Sequence, residues 1–309
     1  MMHFKNHTRP VLGETPLKNL SPMRIQDFYN DKLDSLAPST VRYHLHAPLR
    51  KCLDRAVQLG YLKMNPCDKV EVPNPKSRKD TINYWSKEQV PRFLRKAESG
   101  ADPSYYLLYY TAIFTGMRQG ELLALRWQGV NFDRFRISIT QQISRDANGK
   151  MHFYKPKTDS SQRQVAIDEH LRSLLLGHQD YLDRRKKRLG SDWEDNEYVF
   201  PSGTGTVLNP RNVLRTIKRL TKKVNKDAKK DDKKPIPVIS FHDLRHTHAT
   251  LMLESGVHPK VVQERLGHSS ISTTLDTYSH AVSTLQSDAV DQFASTFYQK
   301  QKPRMKVVK

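Results

Sequence analysis

One stretch, residues 240–280, constrains this chain more than any other. It reads Ser240-Phe241-His242-Asp243-Leu244-Arg245-His246-Thr247, continues through Leu266-Gly267-His268-Ser269 and closes on Asp276-Thr277-Tyr278-Ser279-His280. Six of the chain's thirteen histidines fall inside it. His242 and Arg245 are three residues apart, so on a helix they share one face. Leu244, Leu251, Val257, Val261, Val262 and Leu266 give the surrounding helices a buried side. Arginine, histidine and tyrosine together suit attack on a phosphodiester: cations for the phosphoryl oxygens, a proton carrier and an oxygen nucleophile. The same residues suit a buried polar network or a metal site, and the rest of the chain has to decide.

Charge narrows the partners. With 52 Lys and Arg against 32 Asp and Glu, the formal charge is +20, and the excess is clustered, which points to a polyanion and first to nucleic acid. Hydrophobic residues at 37% and aromatics at 9% are enough for real cores, so this is not a disordered polycation. A length of 309 residues favours two domains. Cys52 and Cys67 are the only cysteines and there is no CxxC. That fits a reducing compartment and excludes a disulfide framework or a cysteine-rich zinc module, with a Cys52–Cys67 bridge as the alternative. No apolar run approaches the ~20 residues that span a bilayer, and the N-terminus lacks the apolar core of a secretion signal. A cytoplasmic protein with no membrane partner is expected.

In chain order, residues 1–20 show weak periodicity and a turn at Leu12-Gly13-Glu14. Ser21-Pro22 opens an amphipathic helix over 22–34 through Ile25, Phe28, Tyr29 and Leu33. Pro38-Ser39-Thr40 starts another, whose stripe of Val41, Leu45, Leu49, Leu53, Ala56 and Val57 contains Pro48. That proline should kink the helix or cost ~3 kcal/mol. Arg42, Arg50, Lys51 and Arg55 make its outer face basic, either as a solvated face or as DNA contacts. Residues 70–80 carry Pro73, Pro75, Lys76, Arg78 and Lys79 and read as an extended basic linker, a tether that could also cross a DNA backbone.

Beyond the linker, Ser86 caps a helix to about Ala97, and Tyr105–Phe114 is an apolar helix broken at Thr115-Gly116. Arg118 and Glu121 are spaced to pair on one helical face. The β region comprises Arg136–Ile143, Met151–Tyr154 and Arg163–Ile167, with turns at Asp146-Ala147-Asn148-Gly149 and Lys157-Thr158-Asp159-Ser160. A three-stranded antiparallel sheet in a mainly α protein is expected. Leu171–Leu189 is a helix with a basic end. Residues 211–234, with eleven Lys and Arg against three aspartates, begin as a helix and should dissolve into a solvated, mobile insertion. A last helix, about 285–299, places Ala289, Val290, Phe293 and Phe297 on one face, to pack on its own domain or on a neighbouring subunit.

Taken as a set, these motifs resemble the tyrosine recombinases, close to the phage-type and transposon integrases. The carriers are Thr115-Gly116-Met117-Arg118-Gln119-Gly120-Glu121-Leu122, then Pro156-Lys157-Thr158 with Ser161 and Arg163, then His242-x-x-Arg245, Leu266-Gly267-His268 and Tyr278. Order and spacing agree over residues 85–295, and residues 12–70 look like most of that family's helical, SAM-like core-binding domain. The resemblance implies a partial core-binding domain over 1–70, a basic linker over 71–84 and the recombinase catalytic fold over 85–309. Tyr278 would be the nucleophile, leaving a 3′-phosphotyrosyl enzyme and a free 5′-hydroxyl. Arg118 and Arg245 would clamp the non-bridging oxygens and His268 would add a donor. Lys157 would protonate the leaving oxygen, with Lys155 as competitor, and His242 would assist proton transfer. Glu121 would orient the site. No cofactor, metal or ATP is implied.

The partners implied are double-stranded DNA attachment sites, a homotetramer spanning two of them, and accessory bending or excisionase proteins. Phosphate contacts would make binding fall steeply with salt. Family members usually carry a further core-binding helix upstream and often an arm-site domain, so an N-terminally shortened integrase is expected. Three rivals remain: a zinc enzyme on His242, His246, His248 and His268; a remnant that only binds DNA; and a type IB topoisomerase, which shares the chemistry without exchange between DNA partners.

Overall fold

The computed structural model describes residues 3–74, 82–100, 102–146, 149–155, 162–283, 290 and 293–294. The chain divides into two compact units, Met1–Thr81 with Ala147–Lys150 and Ile82–Asp146 with Met151–Lys309.

The first unit is helical. Its opening stretch, weakly periodic in sequence, is helical too: α1 runs as a π-helix over Phe4–Thr8 and an α-helix over Arg9–Leu12. Phe4, Thr8 and Leu12 fall on its inner side. Ser21 accepts from the Arg24 amide at 3.2 Å and starts α2, Pro22–Leu33. The third helix, α3, begins at Pro38–Thr40, widens to π geometry over Val41–His46 and resumes as Ala47–Gln58. The disruption expected at Pro48 takes this form. The Ala47 amide bonds five residues back, to Arg42, and Pro48 then sits in the first turn of the resumed α-helix, where a missing amide hydrogen is tolerated. Ile25, Phe28, Tyr29, Val41, Leu45, Leu49 and Leu53 close the core.

The second unit opens with Trp85, fully buried, whose indole N–H donates to the Pro237 carbonyl at 2.9 Å. Ser86 turns the chain into α4, Gln89–Gly100. Asp102 caps α5, Pro103–Thr115, which is buried on nearly every side and ends at Gly116 in the left-handed region. A short α6, Gln119–Ala124, follows.

The strands differ from the single sheet expected. β1 (Val130–Asn131), β2 (Arg136–Ile139) and β5 (Arg163–Ala166) form a three-stranded antiparallel sheet. β3 (Gln142–Arg145) and β4 (Met151–Tyr154) form a separate hairpin. The expected strand Arg136–Ile143 therefore breaks at Thr140-Gln141. Ile137, Ile139 and Ile143 are buried, but Gln141 shares their parity and cannot enter an apolar core without a partner. Its amide donates to the Ala124 carbonyl at 2.8 Å instead, and the chain bends there. The second expected turn, Lys157–Ser160, lies outside the described residues.

Helices complete the unit: α7 (Glu169–Leu189), α8 (Pro210–Lys230), α9 (Phe241–Glu254), α10 (Pro259–Leu266) and α11 (Ile271–Ser283). The Lys-rich segment does not dissolve as expected, because its apolar stripe continues. Leu220, Thr221, Val224 and Ala228 stay buried, α8 packs on α4, and Lys96 pairs with Asp227 at 2.5 Å. Asn225 both donates to and accepts from the Ile236 backbone, at 2.9 and 2.8 Å. Of the expected final helix only 290 and 293–294 are described; they are helical, with Val290 and Phe293 exposed. No helix among the described residues is long and apolar enough to cross a membrane.

Candidate active site

Four local structures bring the polar set together. The first is the end of α5. Gly116 has φ +67°, and a Cβ there would meet the His248 ring at 2.5 Å and Leu266 at 2.9 Å. Only glycine fits. Its carbonyl is thereby free to accept from Arg245 Nη1 at 2.9 Å.

The second is the start of α6. Glu121 Oε2 accepts from the Arg118 amide at 2.8 Å, and Oε1 accepts from Arg118 Nη1 at 2.8 Å. Arg163, at the start of β5, grips the same carboxylate with both terminal nitrogens at 3.0 Å. It also donates from Nε to the Arg265 carbonyl at 2.6 Å. Glu121 is buried; burial alone would raise its pKa, but Arg163 and then Arg118 hold it below the ordinary carboxylate range. The carboxylate thus fixes the stem of Arg118, whose side chain stays one-third exposed (34%).

The third is α9. Ser240 and Asp243 form a reciprocal capping box that fixes its first turn. His242 and Arg245 leave it on adjacent rows. Arg245 is 2% exposed and donates from Nη2 to the Leu266 carbonyl at 2.6 Å. Burial, then repulsion from Arg118, pushes its pKa down to about 9, so it remains charged at neutral pH. His248, one turn further in, bonds the Ile113 carbonyl at 2.8 Å, and burial followed by Arg265 drives it to about 3.

The fourth is the turn after α10. Gly267 is left-handed, and His268 contacts Thr274 Oγ1 through Nδ1 at 2.9 Å. Burial, then Arg245 and Arg118, pushes His268 down to about 4. Tyr278 then arrives from α11 at a point where the helical dihedrals lapse (φ −115°, ψ 25°). It is 1% exposed, packed among Ala249, Leu253, Val262 and Leu266. Its hydroxyl lies 2.9 Å from His246 Nδ1. Burial raises its pKa to about 12, with Arg245 acting in the opposite sense.

Against this geometry, the family profile described as the phage integrase family matches residues 83–284. The chain belongs to the phage integrase family.

As a member it is a site-specific tyrosine recombinase, an enzyme that cleaves and rejoins DNA strands. It is 29% identical to the tyrosine recombinase XerC-like protein of Caldanaerobacter subterraneus, over 96% of this chain and 76% of that one. It is 27% identical to the ICEBs1 integrase of Bacillus subtilis, over 93% and 74%. Among solved structures, the Tn1549 transposon integrase in complex with transposon right end DNA shares the fold at a TM-score of 0.75. Its identity is 20%, covering 95% of this chain and 93% of that one.

The expected integrase set falls as follows. Arg118, Glu121, His242, Arg245, His268 and Tyr278 all lie in the second unit, and charge coupling links Arg245 to Arg118, Glu121 and Tyr278. His242 does not bond Tyr278 directly. Its ring stands edge-on to His246, centroids 4.8 Å apart. Lys157 lies outside the described residues, as do Lys76, Arg78 and Lys79; Lys155 is exposed just after β4. In the first unit Lys51 and Arg55 are exposed on α3 and Arg42 is half-buried, while Arg50 is paired with Asp68 at 2.5 Å. Among the described residues no group of three or more His, Cys, Asp or Glu could hold a metal ion.

Sequence reasoning missed two residues here. His246 was weighed only as a zinc ligand, although its i+4 spacing from His242 puts both on one face. Arg163 stood in a quoted motif without a role.

Proposed function

We propose that Tyr278 is the nucleophile of this recombinase, and one observation carries the reading. Among the described residues, it is the tyrosine whose hydroxyl meets a histidine on the helix that also carries Arg245. Its oxygen attacks the scissile phosphorus. The Oη–P bond forms, the P–O5′ bond breaks, and the 3′ end is held as a phosphotyrosine. The phenolic proton passes to His242, and Lys157 returns a proton to the departing 5′-oxygen. Arg118, Arg245 and His268 carry the charge that grows on the non-bridging oxygens, a task suited to forked, planar donors. Glu121 keeps Arg118 in place. Attack of a 5′-hydroxyl reverses the sequence, so the bond energy is conserved and no nucleotide is consumed.

The substrate is double-stranded DNA at attachment sites, engaged by a homotetramer across two of them, to integrate or excise a mobile element in the cytoplasm, with bending or excisionase proteins as helpers. Residues 1–70 serve as the core-binding domain, with Arg42, Lys51 and Arg55 on the DNA backbone and Arg50 shared with Asp68. Lys76, Arg78 and Lys79 of the 71–84 linker add phosphate contacts. Residues 85–309 carry the chemistry.

The test is covalent capture. A nicked duplex from the DNA flanking the gene is incubated with the wild-type chain and with Tyr278→Phe, then run on a denaturing gel. A retarded protein–DNA species from the wild type alone is the expected result. Binding without an adduct would instead mark a protein that only occupies DNA.

A further inference from the structure

We infer that His246 is the positioning residue for the nucleophile: its Nδ1 accepts the Tyr278 hydroxyl and fixes where that oxygen points. The assignment rests on the reading of Tyr278 as nucleophile and adds a residue to it. Three observations lead there. Tyr278 interrupts the helical backbone of α11, so its own helix does not dictate its direction. Its ring is clamped by Ala249, Leu253, Val262 and Leu266, which restrict the ring plane but offer the hydroxyl nothing polar. The hydrogen bond recorded for that hydroxyl goes to His246 Nδ1 at 2.9 Å. Oxygen direction is therefore set from α9, the helix that carries Arg245, and nucleophile and phosphate clamp share one rigid support.

The protonation states agree with the direction of this bond. Burial, then His242, pushes His246 down to about 4, while burial pushes Tyr278 up to about 12. At neutral pH the imidazole is uncharged and the phenol carries its hydrogen, so the hydroxyl donates and Nδ1 accepts. The His246 proton then resides on Nε2. His242 meets the ring of His246, with an interplanar angle of 87°, and limits its rotation. His242 thus steadies the ring that the tyrosine bonds.

Two substitutions separate positioning from proton removal. Asparagine places its Oδ1 near the position of Nδ1 and accepts a hydrogen bond, but it takes no proton at neutral pH. Phenylalanine keeps the ring and removes the acceptor. With the full chain and the nicked duplex, His246→Phe is expected to slow adduct formation about 100-fold, the usual result of misplacing a reacting atom by about 1 Å. His246→Asn is expected to recover most of that rate, and DNA binding should match the wild type in both. Equal rates for His246→Phe and wild type would overturn the assignment. So would an asparagine variant as slow as phenylalanine, which would make His246 a proton acceptor instead.

A readout independent of catalysis is the ¹⁵N spectrum of histidine-labelled, DNA-free protein. His246 Nδ1 should be unprotonated at neutral pH and should shift in Tyr278→Phe; a proton found on Nδ1 would overturn the pairing. No adduct from the wild type itself sinks the cleavage reading, whereas a wild-type adduct with His246→Phe equally fast sinks only His246.

Discussion

At the scale of single residues, the most exposed dependency is Arg163. It and Arg118 together neutralise a carboxylate that is 3% exposed. Replacing Arg163 by Met leaves Glu121 buried with one partner and strands the orientation of Arg118. The expected loss is roughly 3 kcal/mol, the usual cost of breaking a buried ion pair from one side. Urea unfolding of Arg163→Met against wild type measures it, and a change below ~0.5 kcal/mol would contradict the geometry. Much of the candidate site was legible at this scale. His242, Arg245, His268 and Tyr278 stand in short blocks whose spacing is itself the signal. The partnerships were not legible. Whether His242 or His246 reaches Tyr278 depends on how α9 meets α11, and no spacing along one helix contains that.

Elements were legible where apolar periodicity was strong and misread where charge concealed it. The caps at Ser21 and Ser86 put the starts of α2 and α4 close to where the structure has them. In α8 the lysines drew attention away from Val224 and Ala228, which continue the buried stripe to the helix end. Gln141 had the opposite effect: the alternation around it suggested one strand, and its polarity broke that strand in two. The far end of α8 depends on Asn225, whose side chain takes both hydrogen-bonding groups of Ile236. Asn225→Ala should therefore cost about 2 kcal/mol, through two lost bonds and unpaired backbone groups. Hydrogen exchange at the Ile236 amide should accelerate while exchange in the α5 core stays unchanged.

For the whole molecule, the buried histidines set a pH limit. His178 and His248 have pKa values driven by burial to about 4 and about 3, against an ordinary value of 6.5. Both are neutral in the fold, so the stability linked to them is fully present above pH 6.5. As pH falls from there toward 4, the unfolded chain takes up protons that the folded chain refuses. Each such histidine should contribute a slope on the order of 1 kcal/mol per pH unit. Chemical denaturation at pH 7, 6 and 5 checks this, and equal stabilities at all three would overturn it. Bulk charge was readable from composition alone, but the inward-facing placement of these rings was not. The same accounting of charge applies around Glu121 in the second unit. Arg118, Arg163 and Arg245 crowd one carboxylate and repel each other across it. These arginines are therefore held together against their own field, and an anion bound among them relieves that repulsion. Inhibitor discovery follows from this: compact multivalent anions are the natural starting scaffolds, and a hit would announce itself as a protein that melts later.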